Sequence, residues 1–200
     1  VLSLLCYFWD FVRKTHKVRT FGNYTLGIVW MLQTISLSVY ITSQHEVPLG
    51  SIFDVFFFLA WILITISLIL NLIKSMSFSV FFLNLIGLVL LTMSTFQPDN
   101  YSTHVEKSAV INELLLVHIG LAVLSYAFYA LAFVNALLFI IQYRNLKEKN
   151  FDQKYFRIGS VASLENIVFY SSLAGFVLMI MSIILGAQWG VFSVGKSIFI

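Results

Sequence analysis

The stretch LLLVHIGLAVLSYAFYALAFVNALLFIIQY, from Leu114 to Tyr143, decides the fold class of this protein. It contains no Asp, Glu, Lys or Arg, and it is longer than the roughly 20 apolar residues that a helix needs to cross the hydrocarbon core of a bilayer. Because lipid offers no hydrogen-bond partners to the backbone, such a segment crosses a membrane as an α-helix. The stretch therefore predicts a transmembrane helix.

The rest of the chain repeats this pattern. Hydrophobic residues make up 60% and charged residues 10%, against about a quarter charged in ordinary soluble domains. We expect an all-α, polytopic transmembrane bundle of about six spans, forming a single membrane domain over residues 1–200. Since the chain begins with Val1 and its first apolar segment is short, we expect part of the N-terminus to be missing. We expect the membrane domain to be incomplete at its C-terminal end as well. The predicted spans are Val1–Val12 (partial), Asn23–Thr42, Ile52–Ile73, Phe78–Phe96, Leu114–Tyr143 and Ile167–Gln188.

Ten of the twelve basic residues fall on alternate connections between these spans. Short cytoplasmic loops carry an excess of Lys and Arg, so the basic connections are predicted to be cytoplasmic and the loops near Pro48 and Pro98 extracytoplasmic. The net charge of +3 therefore indicates membrane orientation rather than nucleic-acid binding. The residues on the basic connections are Arg13, Lys14, Lys17, Arg19, Lys74, Arg144, Lys147, Lys149, Lys154 and Arg157.

Several kinds of chemistry are absent from the sequence. Cys6 is the only cysteine, so neither a disulfide framework nor a cysteine metal site can form within the chain. No dinucleotide-binding, phosphate-binding, zinc-protease or nucleophile-elbow motif occurs. We therefore predict a protein that is not an enzyme.

His118 is the main candidate functional residue. It lies five residues after Glu113, about 7.5 Å along a helix, and so in the outer part of its span. Small and hydroxyl-bearing residues follow it at helical spacing and would share its face, where a planar ligand could lie. A neutral imidazole can bind haem iron, but it can equally hydrogen-bond a neighbouring helix. The residues of this predicted stripe are Ala122, Ser125, Tyr126 and Tyr129.

Three other histidines are further possibilities. His45, beside Glu46 at the outer end of a predicted span, is either a second ligand or a solvated loop residue. His104 falls in an outer loop, and His16 lies within the basic cluster that follows the first segment.

Polar and aromatic residues within the spans have structural explanations as well. Tryptophans are predicted to form an interfacial belt rather than a haem platform, with only Trp189 placed to contact a ligand. Asp54 is predicted to cap the start of its helix, and three asparagines to make hydrogen bonds between helices. The other tryptophans are Trp9, Trp30 and Trp61, and the asparagines are Asn71, Asn84 and Asn135.

Three groups of residues resemble the cytochrome c assembly family, whose members handle haem at the outer face of membranes. LLVHI at 115–119 with LSYA at 124–127 is similar to its histidine-bearing span. LEN at 164–166, GF at 175–176 and IILGAQW at 183–189 are similar to the helix before its tryptophan-rich haem-binding loop. VPL at 47–49, FD at 53–54 and AW at 60–61 resemble its early proline, acidic and aromatic segment.

The resemblance implies a haem-associated protein of a bacterial cell membrane, with His118 as its axial haem ligand. By their positions in the sequence, His45, Trp189 and Tyr126 are further candidates for contact with haem. After Trp189, however, the chain runs GVFSV instead of the WxWDPKE-like loop of members that transfer haem. This departure resembles the HemX-type branch of Gram-positive bacteria, which is linked to haem biosynthesis and to the abundance of glutamyl-tRNA reductase.

Three functions therefore remain open. The first is a HemX-like regulator or assembly factor, with glutamyl-tRNA reductase or a cytochrome c assembly subunit as partner. The second is a haem-transporting subunit of a cytochrome c synthase. The third is a small-solute transporter, which the absence of paired broken helices and of charge at midspan disfavours.

Overall fold

The computed structural model describes residues 3–5, 9, 16–44, 49, 51–74, 77–96, 113–149 and 158–198. Over these residues the chain is helical, with no strand, and it contains five long helices: α1 (His16–Gln44), α2 (Ile52–Lys74), α3 (Ser77–Thr95), α4 (Glu113–Lys147) and α5 (Val161–Ile198). This confirms the polytopic α-helical fold.

Each helix contains an apolar segment long enough to span a membrane. These segments are Thr20–Ser43, Ile52–Leu72, Phe78–Thr95, Leu114–Lys147 and Val161–Val191, and they agree with the five complete spans expected from hydropathy. The partial segment Val1–Val12 lies mostly outside the described residues.

Helices α1 and α2 are joined by a reciprocal set of hydrogen bonds. Trp30 Nε1 donates to Thr65 Oγ1 at 2.9 Å, and Trp61 Nε1 donates to Thr34 Oγ1 at 3.0 Å. Each threonine hydroxyl in turn donates to the backbone carbonyl of the tryptophan on its own helix, Thr65 to Trp61 and Thr34 to Trp30. The two contacts run in opposite directions along the helices, so α1 and α2 are antiparallel.

This arrangement corrects the interfacial role predicted for two tryptophans. Trp30 and Trp61 lie near the middle of the spans Thr20–Ser43 and Ile52–Leu72, well away from the headgroup region. There each indole N–H needs a protein acceptor, because the hydrocarbon core supplies none. A threonine of the facing helix provides this acceptor, Thr65 for Trp30 and Thr34 for Trp61.

Replacing Trp30 by phenylalanine should lower the stability of the folded protein by about 1 kcal/mol, a typical value for a hydrogen bond between helices in a membrane. Trp30→Phe keeps most of the ring packing but removes the N–H donor to Thr65. The measurement is thermal unfolding in detergent micelles, for Trp30→Phe, Thr65→Val and the double variant. If the loss of stability in the double variant equals the sum of the two single losses, a direct bond between the two side chains is contradicted.

The main apolar core lies among α2, α3 and α4 and includes the start of α5. Its buried members are Ile62, Leu63, Leu83, Val123, Ala127, Leu131, Val134, Leu138, Ile158 and Leu164. One buried polar bond crosses it: Ser79 Oγ donates to Asn135 Oδ1 at 2.7 Å, while Asn135 Nδ2 donates to the carbonyl of Leu131. The predicted interhelical role of Asn135 is thus confirmed.

Two other predicted polar roles, those of Asn84 and Asp54, turn out differently. Asn84 Nδ2 donates to the carbonyl of Val80 in its own helix, so its observed bond lies within one helix. At the start of α2, the backbone N–H of Asp54 donates to Ser51 Oγ at 3.2 Å. The N-cap is therefore Ser51, since its hydroxyl accepts from the third helical residue, and Asp54 lies in the first turn. For Asn71 the interhelical bond stays a prediction.

Helix ends differ from the predicted limits at the basic connection. Helix α4 continues to Lys147 and α5 begins at Val161, so the connection is shorter than the interval between the predicted spans, which end at Tyr143 and begin at Ile167. Arg144 and Lys147 occupy the last turn of α4, where cations suit the negative end of the helix dipole. Ser160 Oγ accepts from the N–H of Ser163 at the start of α5, which explains the early start of this helix.

Successive helices run in opposite directions, so the basic residues at the helix ends gather at one end of the bundle. The start of α1 and the ends of α2 and α4 lie at one end, which carries Lys17, Arg19, Lys74, Arg144 and Lys147. We call this the basic end. The opposite end, where α4 begins and α5 finishes, contains His118 and is called the histidine end.

Candidate functional site

The face of α4 that carries His118 packs along α5, and these two helices form the most extensive helix pair in the described part of the chain. Ser125 is fully buried, and its hydroxyl donates to the carbonyl of Gly175 at 2.7 Å. The ring of Tyr129 lies over the same glycine. Ser125 therefore lies near Gly175. His118 precedes Ser125 by seven residues and lies near Ser182 and Gly186, which follow Gly175. The two helices are antiparallel.

These contacts correct the prediction that the whole stripe is open to a planar ligand. The side chains of Ser125 and Tyr129 are in contact with α5, so that part of the predicted stripe is a helix interface. A planar ligand that reaches His118 has to approach it from the histidine end or from the side of the helix pair.

His118 is held by Ser182 of α5 through three close contacts. Its ring Nδ1 lies 2.6 Å from the carbonyl oxygen of Ser182 and 3.0 Å from Ser182 Oγ. The Ser182 hydroxyl also donates to the backbone carbonyl of His118 at 2.8 Å. Side chain and backbone of the histidine are thus both tied to one residue of the neighbouring helix.

The pattern of donors and acceptors places a proton on Nδ1 of the ring. A carbonyl oxygen can only accept, so the short contact with Ser182 requires a proton on Nδ1. The Ser182 hydroxyl hydrogen is directed to the carbonyl of His118, which leaves its oxygen as a second acceptor for the Nδ1–H. In the neutral imidazole the other nitrogen, Nε2, then carries a lone pair.

Gly186 makes room for the ring. It lies one turn after Ser182 on α5, and a methyl group added there would be 2.6 Å from His118 Cε1, 2.8 Å from Nδ1 and 3.1 Å from Nε2. These separations are far below ordinary carbon contacts of about 3.5–4.0 Å. The half-buried imidazole therefore lies directly against the backbone of α5.

Within the described part of the chain, neither Tyr126 nor Trp189 makes a hydrogen bond to this ring. Tyr126 is 51% exposed and lies two turns beyond His118 on α4. Trp189 is half-buried and lies one turn beyond Gly186 on the histidine end. His45 and His104 fall outside the described residues. His16 is in the first turn of α1, at the basic end.

In the part of the chain that the structure describes, His118 is the one histidine at this site that could bind a metal. No group of three or more His, Cys, Asp or Glu residues comes together among the residues the structure describes. A single neutral imidazole suits an iron whose remaining ligands come mainly from a cofactor, as in haem. It does not suit a bare zinc ion, which needs four ligands.

Ser182 was not among the residues predicted for the site. A signal was present, since Ser171 and Gly175, and then Ser182 and Gly186, form two small-residue pairs at four-residue spacing. Such pairs allow close approach of membrane helices. Their pattern could have marked this face of α5 as an interface, but it could not have shown that His118 lies opposite Ser182.

Comparison with known proteins agrees with the resemblance in the sequence. Residues 49–199 match the family model described as cytochrome C assembly protein. The chain is 33% identical to Protein HemX of Bacillus subtilis (strain 168) over 188 residues, covering 94% of this chain and 68% of that protein. It is 31% identical to Protein HemX of Brevibacillus brevis over 194 residues, covering 97% and 71%. No solved structure matches the chain.

Proposed function

Since the chain belongs to the cytochrome c assembly protein family, we propose that it is a haem-associated, non-catalytic membrane protein of HemX type. It acts in the regulation of haem biosynthesis or in cytochrome c maturation. The two HemX relatives cover nearly the whole chain, and they support the regulatory form of this proposal.

The observation that carries the haem association is the state of His118. Its Nδ1 contacts the carbonyl of Ser182, so Nε2 is left with the lone pair that an iron ligand needs. Histidines that bind metals commonly donate their other ring N–H to a carbonyl or carboxylate, which fixes the tautomer and raises the basicity of the ligand. The residues present therefore fit a haem-binding site in which His118 would hold the group, and haem would supply the iron that Nε2 binds.

The proposed orientation follows from the basic end. With the positive-inside rule the basic end faces the cytoplasm of a bacterial cell, and His118 faces the outer surface. Haem would then be held near the outer leaflet. The residues at the basic end would remain available for a cytoplasmic partner such as glutamyl-tRNA reductase.

A second candidate is a haem-transporting subunit of a cytochrome c synthase, which the match to the assembly family favours. One structural feature argues against it. Helix α5 continues without a break through Trp189 to Ile198, over residues where transferring members have a tryptophan-rich loop. A continuous helix here is consistent with a protein that binds haem without passing it on.

Deleting the gene from its host should separate the two candidates. If the protein is a regulator, covalent cytochrome c should stay at wild-type level and the amount of glutamyl-tRNA reductase should rise. Haem staining of membrane proteins and immunoblotting of the reductase measure the two outcomes. Loss of covalent cytochrome c with unchanged reductase would contradict the regulatory function and support the synthase subunit. Re-expression from a plasmid controls for effects on neighbouring genes.

A further inference from the structure

We infer that Gly186 and Ser182 are positioning residues for His118: they hold its imidazole as the Nδ1–H tautomer, and so make Nε2 the nitrogen that binds iron. The inference rests on the proposed function for its iron, but the tautomer itself is a property of the protein without haem. Neither residue has to touch haem to have this effect.

Gly186 acts by leaving space. A methyl group there would lie 2.6 Å from His118 Cε1, so the ring would have to retreat by about 1 Å to reach an ordinary contact distance. We expect a retreat of this size to lengthen the distance between Nδ1 and the Ser182 carbonyl, now 2.6 Å, beyond the usual hydrogen-bond limit of about 3.2 Å. An alanine at position 186 therefore breaks the hydrogen bond that fixes the proton.

Ser182 acts through two different groups. Its backbone carbonyl accepts the Nδ1–H, and no side-chain substitution removes this acceptor. Its hydroxyl donates to the carbonyl of His118 at 2.8 Å and presents a second acceptor to Nδ1 at 3.0 Å. Ser182→Ala should therefore weaken the restraint on the ring but keep the Nδ1–H tautomer. Gly186→Ala should lose both the restraint and the single tautomer.

Glycines elsewhere on the same helix separate positioning from packing. A methyl group at Gly175 would contact the Tyr129 ring at 3.2 Å and the Ser125 carbonyl at 3.4 Å, about 16 Å along the helix from Gly186. A methyl group at Gly190, one turn beyond Gly186, would meet nothing within 4 Å. Gly175→Ala thus tests packing of α4 on α5, and Gly190→Ala tests the intrinsic effect of alanine in α5.

The first readout uses protein without haem. In detergent micelles, ¹⁵N NMR of histidine-labelled protein should show His118 with a protonated Nδ1 and an unprotonated Nε2, assigned by the signals missing from His118→Ala. Gly190→Ala and Gly175→Ala should keep this signature. Ser182→Ala should shift the Nδ1 resonance, and Gly186→Ala should give the mixed tautomers of a free imidazole.

The second readout is binding of hemin, followed by its Soret absorption. Gly186→Ala should bind hemin about 10- to 100-fold more weakly, as is typical when the hydrogen bond behind a metal ligand is lost. Gly190→Ala and Gly175→Ala should bind hemin as the wild type does, whatever the effect of Gly175→Ala on the unfolding temperature.

The two proposals fail in different ways. A wild-type His118 that is protonated on Nε2, or a Gly186→Ala protein that keeps the wild-type ¹⁵N signature, overturns the positioning role whatever hemin does. If Gly186→Ala does not fold, an unchanged Nδ1 resonance in Ser182→Ala overturns it instead. Wild-type protein that binds no hemin but shows the Nδ1–H tautomer contradicts the haem association and leaves the positioning of the ring confirmed.

Discussion

Replacing His118 by alanine is expected to abolish the retention of haem by the purified protein. Wild-type protein supplemented with hemin should carry a Soret band through size-exclusion chromatography in detergent, while His118→Ala should lose it. Removal of the ligand itself should weaken binding by more than the roughly 10- to 100-fold that accompanies loss of a supporting hydrogen bond. Absorption and pyridine haemochrome assays measure the haem retained per protein.

Two further variants make this result specific. His16→Ala removes a histidine from the start of α1, at the basic end, and should keep the Soret band. His118→Gly leaves a space in which added imidazole can bind, so haem retention should return when imidazole is supplied. A His118→Ala protein that retains as much haem as the wild type would show that another residue is the ligand. Wild-type protein that stays colourless after hemin supplementation would remove the haem association altogether.

Placing leucine at position 175 is expected to produce the largest loss of stability. Even a single carbon at Gly175 would lie 3.2 Å from the Tyr129 ring, and the larger side chain cannot be accommodated without separating α4 from α5. Overpacking of a well-packed interior costs typically about 1–3 kcal/mol and sometimes more, and here the buried bond from Ser125 to the Gly175 carbonyl would be strained as well. Thermal unfolding in detergent micelles measures the effect.

The matched control is Gly120→Leu. Gly120 lies in α4, and a methyl group there would meet nothing within 4 Å, so a leucine should change the unfolding temperature little. If Gly175→Leu and Gly120→Leu unfolded at the same temperature, the close approach of α4 and α5 at Gly175 would be contradicted.

These two expectations concern one interface, because the α4 and α5 pair both stabilises the bundle and holds the histidine. Gly175 and Ser125 determine how closely the helices approach, while Ser182 and Gly186 determine where the imidazole lies. Small residues are suited to both tasks, since in a membrane they allow backbones to approach and expose carbonyl groups to side chains of the facing helix. A change at Gly175 therefore tests the support of the site, and a change at Gly186 tests the site itself.

Sequence alone was sufficient for the helices. The lengths of apolar segments such as 114–143 predicted the spans to within a few residues, because the cost of placing a backbone or a charge in lipid depends mainly on the residues in that segment. Errors were local: Ser51, not Asp54, is the N-cap of α2. Trp30 and Trp61 bind threonines at midspan, which hydropathy does not reveal.

What the sequence by itself determined is thus the fold class, the five described spans, the separation of basic residues from His118 and the family. Only the tertiary structure decided which nitrogen of His118 carries the proton and which residue holds it. The physical reason is that a span depends on composition, whereas the partner of a side chain depends on the rotation and register of two helices. Ser182 meets His118 because α5 packs antiparallel on α4 at that register, 64 residues away in the chain.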